Sequence, residues 1–366
     1  MKIIVNGTEL SSAVMKVSKA ISVKTTNPVL EGIKLSVRGD NLTLTATDTE
    51  FAIEKTIRSD TFREGDTVVP GRLFAELVKK LENENEVELF LIEENRLKIT
   101  YGNNEVFLST LSAETFPEIK KNLKEKYFTL LQKEYKELIN KTIFACSTDE
   151  SRPILKGCLF DIKDGVLKCV GLDGFRMAIA EKRIKEASGD FKIIIPARAL
   201  NEIGRLLERD EEEMTIVSEE NTMMVDDNGT IFVSRLLEGD FINYEQIIPS
   251  KFQTVVTFKR EDFQNSLDRA TIVAKDARNI VKLEIKENHI NIKANSEKGN
   301  VTENVLVNIE GVDMDINFNA KYITEALKSI SDEYVKLSFV GEIAPAIITS
   351  VSGGDYLYLI LPIRIG

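Results

Sequence analysis

The sequence is poor in the side chains that enzymes most often use for acid–base chemistry or for binding metals. Its 366 residues include one histidine and three cysteines. Cys146, Cys158 and Cys169 show no Cys-x-x-Cys spacing, whereas a zinc site needs several Cys or His ligands at short spacing. The cysteines are therefore predicted to be small buried apolar residues, and His289 a surface or partly buried residue of a strand. We expect no metal and no cofactor.

Long apolar segments are also missing. No apolar run approaches the roughly 20 residues that a membrane helix needs. The stretch Met1–Gly7 is too short for a signal peptide. Hydrophobic residues make up 43% of the chain and charged residues 29%, which is ordinary for a globular protein. The sequence therefore predicts a cytoplasmic protein without a membrane partner.

Catalytic motifs are absent as well. The chain has no Gly-rich phosphate loop, no Gly-x-Ser-x-Gly and no His-Glu-x-x-His, and Gly353-Gly354 precedes a strand, as in a hairpin turn. Carboxylates are plentiful, so a metal-dependent phosphoesterase using Asp48, Asp149 and Asp173 stays open as an alternative. Asp48 and Asp173 occupy matching positions in a repeat, which favours a turn or helix-cap role.

What the chain does have is one pattern that occurs three times. Val68–Val78, Ile194–Ile203 and Asn317–Leu327 each read as a short apolar strand, a turn, a cation and an amphipathic helix. Solenoid repeats run at about 20–50 residues, so the wider spacing here indicates a repeated domain. Domains are predicted at 1–125, 126–250 and 251–366.

Each repeat combines two helices with several short antiparallel strands, which predicts an α+β fold. The helical period places helices at 8–24, 71–81, 132–146, 197–209, 259–278 and 320–330. Alternating residues around turn formers predict hairpins with strands at 34–37 and 42–46, 160–162 and 167–170, and 283–285 and 290–294. The repeats are predicted to end on strands at 107–111, 232–237 and 359–363.

Charge is distributed unevenly along this acidic chain. The net charge is −11, yet every predicted helix carries more cations than anions. Arg72, Arg198 and Lys321 recur at one repeat position. If the helices line one face, that face attracts phosphates weakly, without sequence preference and in a salt-sensitive way. Few aromatic residues accompany the cations, which favours duplex DNA over single strands. Ordinary surface helices, or a scaffold that binds proteins but no DNA, are the alternatives.

Several segments together resemble one known family. Gly171–Ala178 reads Gly-Leu-Asp-Gly-Phe-Arg-Met-Ala and resembles the Thr-Asp-Gly-His-Arg-Leu-Ala segment of the bacterial sliding clamp, the beta subunit of DNA polymerase III. Ser151–Gly157, Gly239–Tyr244 and the ending Leu361–Ile365 also resemble that family. The resemblance covers the whole chain, including its length and its triplication.

The resemblance implies a function and a set of partners. It implies a non-enzymatic DNA sliding clamp, in which three clamp domains per subunit form a ring as a head-to-tail homodimer. Duplex DNA would pass through the ring without sequence preference, and the ring would tether the replicative polymerase and other DNA-processing proteins, after being opened by a clamp loader. Such a tether raises the effective concentration of the polymerase on the DNA.

The resemblance also implies three groups of site residues. The implied DNA contacts are Lys24, Arg72, Arg152 and Arg198, with Lys321 added by repeat analogy. The implied seam of the ring contains Val106, Leu108, Ile272, Val273, Thr302 and Val305. The implied pocket for a short linear partner peptide contains Leu155, Leu172, Gly174, Phe175, Arg176, Met177, Ile242, Ile247, Asn319, Tyr322, Ile343, Pro345, Leu359, Ile360, Leu361, Pro362, Ile363 and Arg364. Phe175 stands where some members have His and Gln246 where some have Arg, so the preferred peptide is left open.

Overall fold

The computed structural model describes residues 1–23, 25–93, 95–121 and 124–364. Within these ranges the α-helices are α1 (Gly7–Val17), α2 (Gly71–Val78), α3 (Gln132–Thr142), α4 (Ala197–Leu206), α5 (Arg260–Ala274) and α6 (Ala320–Lys328). Short 3-10 helices cover Ser18–Ala20, Pro28–Glu31, Ile143–Ala145, Pro153–Lys156, Tyr244–Ile247 and Lys275–Ala277. None of the helices in the described ranges is long and apolar enough to cross a bilayer.

Short strands make up most of the remaining chain. The first are β1 (Lys2–Val5), β2 (Gly32–Arg38), β3 (Asn41–Thr47), β4 (Phe51–Arg58), β5 (Asp60–Arg63), β6 (Gly65–Pro70), β7 (Val87–Glu93), β8 (Arg96–Tyr101), β9 (Asn104–Ser109) and β10 (Lys126–Leu131). The next are β11 (Gly157–Lys163), β12 (Val166–Leu172), β13 (Arg176–Arg183), β14 (Glu186–Ala187), β15 (Phe191–Pro196), β16 (Glu213–Glu219), β17 (Thr222–Asp227) and β18 (Thr230–Arg235). The last are β19 (Thr254–Lys259), β20 (Ile280–Lys286), β21 (His289–Ser296), β22 (Gly299–Leu306), β23 (Asn308–Gly311), β24 (Met314–Asn319), β25 (Tyr334–Phe339), β26 (Ala346–Ser350) and β27 (Tyr356–Ile360).

The triplication predicted from the sequence is confirmed at the level of single hydrogen bonds. In each repeat, the strand before the second helix binds the chain that follows the last strand of that repeat. The backbone N–H donates to the backbone carbonyl from Leu111 to Val68 at 2.8 Å, from Leu237 to Ile194 at 2.9 Å, and from Ile363 to Asn317 at 2.8 Å.

Contacts divide the described chain into two compact units. Unit 1 consists of Met1–Gln132 and Glu202–Leu236, and unit 2 consists of Lys133–Asn201 and the chain from Leu237 onward. The middle repeat is thus shared between the units, because its strands join the sheets of both the other repeats. The domain boundaries at 125 and 250 follow the repeats rather than these contacts and stay a prediction.

Unit 1 contains two antiparallel sheets. The smaller has the strand order β5-β1-β7-β8-β9, and within unit 1 the larger runs β10-β16-β17-β18-β4-β3-β2-β6. Strand β18 of the middle repeat pairs with β4 of the first, with Val233 opposite Ala52. Helix α1 begins after Asn6, whose side chain accepts hydrogen bonds from two N–H groups of the first turn. Its apolar stripe packs against α2 and β4, because Leu10 and Val14 recur on one face.

Unit 2 repeats this arrangement. A nine-stranded sheet runs β15-β11-β12-β13-β27-β26-β25-β19-β23, and a four-stranded sheet runs β22-β21-β20-β24. Strand β27 of the third repeat pairs with β13 of the middle repeat, with Leu359 opposite Met177. Asp164 and Gly165 form the predicted turn between β11 and β12, with φ of +52° and +72°, as a two-residue hairpin requires. Helix α5 packs on α6 and on β21 and β22.

The predicted helices were correctly located but too long. The predicted helix at 8–24 ends at Val17, the one at 132–146 ends at Thr142, and the one at 320–330 ends at Lys328. A side-chain hydroxyl lies at each of these ends and donates to a carbonyl of the last turn, which competes with the backbone ladder. These bonds run from Ser18 to Met15, from Thr142 to Leu138, and from Ser329 to Ala326, at 2.9, 2.6 and 2.7 Å.

The other three helices and the last strands were also overextended. The helices predicted at 71–81, 197–209 and 259–278 end at Val78, Leu206 and Ala274. After the third of these, a 3-10 helix covers Lys275–Ala277, and Arg278 with a left-handed φ of +57° ends that 3-10 helix. The strands predicted to reach 111, 237 and 363 end at Ser109, Arg235 and Ile360, because the residues that follow leave the sheet to bind the pre-helix strand of their repeat.

The cysteines and the histidine lie as predicted. Cys158 and Cys169 are buried, Cys146 is half-buried, and all three are free thiols. Burial raises the pKa of the Cys169 thiol well above its usual value, so it stays neutral. His289 begins β21 and is half-buried. The cysteines therefore serve as small apolar side chains.

Candidate functional site

The floor of the predicted peptide pocket is a buried apolar cluster in unit 2. Leu155, Leu172, Met177 and Leu359 belong to this cluster, and each exposes 6% of its surface or less. Strand pairing brings them together, since Met177 lies opposite Leu172 on β12 and opposite Leu359 on β27. Because every second side chain of a strand points to the same face, these strands also contribute the other buried residues of the cluster.

Four of the apolar residues predicted for the pocket are exposed. Phe175 exposes 58% of its surface, Ile242 47%, Ile247 42% and Ile343 68%. Leu361 packs against the buried cluster, and its N–H donates to the carbonyl of Phe175 at 2.9 Å. Exposed apolar side chains are typical of a surface that binds another molecule.

The remaining predicted pocket residues fall into two groups. Ile360 is buried and pairs with Arg176 of β13, so its side chain belongs to the core rather than to the surface. Those that are half-buried or exposed are Asn319, Pro345, Pro362, Ile363 and Arg364. The N–H of Ile363 binds the Asn317 carbonyl, which holds the last described residues beside the start of α6.

A tight turn presents Phe175. Asp173 Oδ1 accepts hydrogen bonds from the N–H groups of Phe175 and Arg176, at 2.9 and 3.0 Å. Gly174 between them has φ of +93°, and a Cβ there would lie 2.8 Å from Arg152 Nη1. Glycine is therefore the residue that fits this turn without strain. Asp48 makes the matching bonds to Glu50 and Phe51, so the predicted turn role of both aspartates is confirmed.

Arg176 is a buried structural cation. Its guanidinium bonds to Asp173, to Glu325 and to the carbonyl of Phe144. It also lies over the Tyr322 ring, 4.6 Å from the centroid. A buried arginine with two carboxylate partners and an aromatic face is held in place and fixes what surrounds it. Arg176 also lines a cavity together with Phe175 and Tyr322, and its predicted place in the peptide pocket stays a prediction.

Phe175 and Tyr322 stack at the border between the pocket and a second cavity. Their ring centroids are 6.4 Å apart with an interplanar angle of 22°. The cavity of about 670 Å³ is lined by Phe175, Tyr322, Arg152 and Lys321, among others. Burial raises the pKa of Tyr322, so its hydroxyl stays neutral and can serve as a donor.

Sequence reasoning missed several supporting residues. Tyr244 is 3% exposed within the pocket cluster, and its hydroxyl donates to Asp161 Oδ2 at 3.0 Å. Ile179 also belongs to the cluster and could have been found, since it alternates with Met177 along β13. Glu325 could have been suspected from its place one helical turn after Lys321. Nothing in the sequence pointed to Phe144, which contributes its backbone carbonyl and a ring 5.4 Å from the Arg176 guanidinium.

Three of the five predicted DNA contacts share an exposed position at the beginning of a helix. Arg72, Arg198 and Lys321 are each the second residue of α2, α4 and α6, and each is exposed. Cations there face the positive end of the helix dipole, so helix stability alone does not favour them. Arg152 is exposed in the loop before a 3-10 helix. Lys24 lies outside the described residues.

The predicted seam residues lie on or beside two sheet edges. Strand β9, which holds Val106 and Leu108, ends one sheet of unit 1, and β22, which holds Thr302 and Val305, ends one sheet of unit 2. Leu108 and Val305 are 5% and 3% exposed, because their side chains face the cores of their own units. At a seam they can contribute only their backbone groups. Ile272 on α5 exposes 76% of its surface, whereas Val273 is half-buried.

Across residues 1–23, 25–93, 95–121 and 124–364, no group of three or more His, Cys, Asp or Glu side chains is placed to hold a metal ion. Asp149 accepts a backbone hydrogen bond from Ser151 at 2.9 Å, which lowers its pKa. Like Asp48 and Asp173, it acts as a turn residue. All three aspartates of the phosphoesterase alternative therefore accept backbone hydrogen bonds within turns.

The fold and the pocket define a clamp subunit of a DNA polymerase, built from three α+β domains. Family models of the DNA polymerase III beta subunit match the chain with its N-terminal domain at residues 1–120, its central domain at 129–243 and its C-terminal domain at 245–364. The chain therefore belongs to the beta sliding clamp family.

Individual relatives agree with the family models. The chain is 33% identical to the beta sliding clamp of Staphylococcus epidermidis over 357 residues, which cover 94% of each chain, and 32% identical to that of Staphylococcus aureus over the same share. The crystal structure of the DNA polymerase sliding clamp from Bacillus subtilis superposes with a TM-score of 0.96 at 30% identity over 100% of both chains. The DNA polymerase III beta subunit of Thermotoga maritima gives 0.92 at 30% identity, again over 100% of both chains.

Family membership settles the class of activity. The protein is a non-enzymatic DNA sliding clamp that makes a DNA polymerase processive. The phosphoesterase alternative and the scaffold without DNA are both wrong on this ground. DNA and polymerase are its partners at this level, and its action is on DNA in the cell.

Proposed function

We propose that two copies of the chain join head to tail into a closed ring around duplex DNA. The supporting observation is a junction at which a strand of one repeat pairs with a strand of the repeat before it. This junction occurs twice in the described chain, and a third one would join the first repeat to the third. Strand β18 of the middle repeat pairs with β4 of the first, and β27 of the third pairs with β13 of the middle. The equivalent strands that are left are β9 of the first repeat and β22 of the third. Both are edges of their sheets in the part of the chain that the structure describes.

The two observed junctions predict the register of the third. In unit 1, Phe232 lies opposite Ile53. The repeats place Val106 where β18 has Phe232, because Gly102 and Gly229 occupy matching turns before β9 and β18. They place Val301 where β4 has Ile53, because β3 and β21 each begin directly after a two-residue turn. Ala46 of β3 then pairs with Ile53, as Ala294 of β21 pairs with Val301. Val106 should therefore lie opposite Val301 of the partner subunit, and the pairing would cover two exposed edges.

The proposed seam can be tested by replacing an exposed side chain, because such a substitution removes little packing within the subunit. Ile272 is 76% exposed and belongs to the predicted seam. Ile272→Asp places a charge in an apolar contact between subunits, so sedimentation should show a monomer where the unchanged protein is a dimer. Phe62→Asp is the matched control, because Phe62 is 65% exposed on β5, which forms the opposite edge of the sheet that β9 ends. A dimer that survives Ile272→Asp at micromolar concentration would contradict this seam.

In this proposal, cationic side chains at the beginnings of three helices contact the DNA. Arg72, Arg198 and Lys321 occupy one repeat position that the helix dipole disfavours, which suggests that they serve an external anion. Phosphate contacts of this kind carry no sequence information, and each weakens as salt rises. A ring that slides needs such weak contacts, since topology rather than affinity retains it on DNA.

The test of the whole proposal is retention on DNA of different topology. Ring-shaped protein placed by a clamp loader on a nicked circle should remain bound through gel filtration at high salt, and it should leave after the circle is cut once. The triple change of Arg72, Arg198 and Lys321 to Glu should reduce placement on DNA while leaving the dimer intact. Equal loss from circular and linear DNA would contradict the ring.

The pocket of unit 2 is proposed to bind the replicative polymerase, the clamp loader and other proteins that carry a short linear clamp-binding motif. Its apolar floor and exposed apolar rim suit a few apolar side chains of an extended peptide. The cytoplasm is the proposed location.

A further inference from the structure

Unit 1 contains a cleft built on the same plan as the peptide pocket of unit 2. The cleft has a volume of about 360 Å³ and lies at the turn between β3 and β4. Its lining includes Thr47, Glu50 and Ala52 of that hairpin, Val233 and Arg235 of β18, and Pro117 of the segment that follows the first repeat.

Backbone contacts show that the two sites are equivalent. The N–H of Arg235 donates to the Glu50 carbonyl at 2.8 Å, as the N–H of Leu361 donates to the Phe175 carbonyl at 2.9 Å. Both Glu50 and Phe175 follow an aspartate turn with a left-handed residue. That residue is Thr49 in unit 1, with φ of +80°.

The equivalence extends to the floor and to the entrance. Ala52 lies opposite Val233 in unit 1, as Met177 lies opposite Leu359 in unit 2. Pro117 follows the buried Phe116, which packs with Leu30. Ile242 likewise follows Phe241, which packs against the cluster of Leu155. The lining of the cleft therefore corresponds, position by position, to residues of the pocket.

The chemistry of the two sites differs. Where unit 2 has the apolar Phe175 and Leu361, unit 1 has Glu50 and Arg235. Glu50 and Arg235 form only a long ion pair of 3.8 Å, with their side chains 63% and 60% exposed. Such a pair is weak and can be displaced.

Negative charge is in excess at the cleft of unit 1. Lys120 on its rim already contacts Glu219 and Glu220, at 3.8 and 3.1 Å. Glu118 on the same rim is exposed. The lining itself holds two carboxylates, Glu50 and Glu118, and two cations, Lys120 and Arg235. Glu219 and Glu220 lie outside the lining but pair with Lys120, so the excess of negative charge comes from these neighbours. A narrow apolar floor under an acidic rim matches a side chain with an aliphatic stem and a cationic end.

We propose that this cleft binds an extended peptide segment of a partner protein through a lysine or arginine side chain. The stem would lie over Ala52, Val233 and Pro117, and the cationic head would bond to Glu50 and Glu118. This site is separate from the pocket of unit 2, and its existence does not depend on ring closure. One subunit would then hold two peptides of opposite character at equivalent positions.

The test uses the full chain and a fluorescein-labelled heptapeptide, Gly-Ser-Arg-Gly-Ser-Arg-Gly, in fluorescence anisotropy. Binding should weaken by about tenfold or more with Glu50→Gln combined with Glu118→Gln, because charged hydrogen-bond acceptors are lost. The same peptide with citrulline in place of arginine should lose a similar factor. Glu245→Gln is the matched control, since Glu245 is a 66% exposed carboxylate in the equivalent segment of unit 2. It should leave binding unchanged.

Three results would overturn the proposal. The first is no binding of the arginine peptide at millimolar protein. The second is equal weakening by Glu245→Gln, which would indicate general attraction to an acidic protein. The third is loss of arginine-peptide binding in Phe175→Glu, which would place the peptide in the pocket of unit 2. That third outcome leaves the proposed function standing, so failures of the two ideas can be distinguished.

Discussion

The peptide pocket of unit 2 and the equivalent cleft of unit 1 share one backbone and differ in almost every exposed side chain. Both use an aspartate turn that presents one residue at the mouth, Phe175 in one and Glu50 in the other. Both place a two-strand junction beneath it. The difference teaches that the repeat supplies geometry, while a few side chains decide what each copy binds.

The largest effect is expected from a charge in the floor of the apolar pocket. Met177 is 3% exposed there, so Met177→Lys would require an unpaired ammonium group to be buried or the floor to open. Binding of a short polymerase-derived apolar peptide should fall by about a hundredfold or more. Anisotropy measures the affinity, and sedimentation should still show a dimer.

Glu50→Lys serves as its control at the equivalent mouth of unit 1. It should leave the affinity for the apolar peptide unchanged. Unchanged affinity in Met177→Lys would instead remove the assignment of the pocket.

A smaller effect is expected from exchanging the two mouths. Phe175→Glu with Leu361→Arg gives unit 2 the rim chemistry of unit 1, and the apolar peptide should bind about tenfold more weakly because rim contacts are lost and the floor stays. Glu50→Phe with Arg235→Leu makes the reverse change. Calorimetry should then detect a second, weaker site for the apolar peptide on each subunit. A stoichiometry that stays at one would show that the floor of Ala52 and Val233 excludes this ligand.

The turns themselves should differ in strain. Thr49 has a β-branched side chain at φ of +80°, whereas Gly174 has φ of +93° without one. Gly174→Thr should lower the free energy of unfolding by about 1–2 kcal/mol. Thr49→Gly should raise it by about 0.5 kcal/mol, since relief of strain exceeds the entropy cost of glycine. Thermal melting of both variants measures these changes. A stabilising Gly174→Thr would mean that the turn is not constrained.

The smallest effect is expected from the ion pair at the mouth of unit 1. Glu50 and Arg235 are 3.8 Å apart and mostly exposed, so water and salt screen them. Glu50→Gln should change the free energy of unfolding by less than about 0.5 kcal/mol. Denaturant unfolding at low and high salt provides the measurement. A larger loss at low salt would show that this pair has a structural role, which would leave Glu50 less available to a ligand.

Much of the fold follows from local pattern and could be predicted. Alternation around Gly39 and around Asp164-Gly165 located hairpins, and helical periodicity located all six helices that the described ranges contain. Helix ends were missed because hydroxyls such as that of Thr142 bind carbonyls in ways that periodicity does not report. The pairing of β18 with β4 was also invisible, since it joins two repeats that are distant in sequence.

The site was predictable only in part. The residues of the apolar floor were located through family resemblance, while Arg176 was included in the pocket without the knowledge that Glu325 and Phe144 hold it inside. The cleft of unit 1 carries no family motif, because its side chains are polar where the motif is apolar. It becomes visible only once the hydrogen bonds of Arg235 and Leu361 are compared.

Both sites lie beside a junction between repeats, and a third junction of the same kind would close the proposed ring. The most direct measurement is disulfide formation in the double variant Val106→Cys and Val301→Cys. Opposite residues of paired strands lie within disulfide reach. A closed head-to-tail ring should give a covalent dimer under oxidation, which neither single variant forms and which stays on circular DNA in denaturant. A chain that remains monomeric on a non-reducing gel would contradict it.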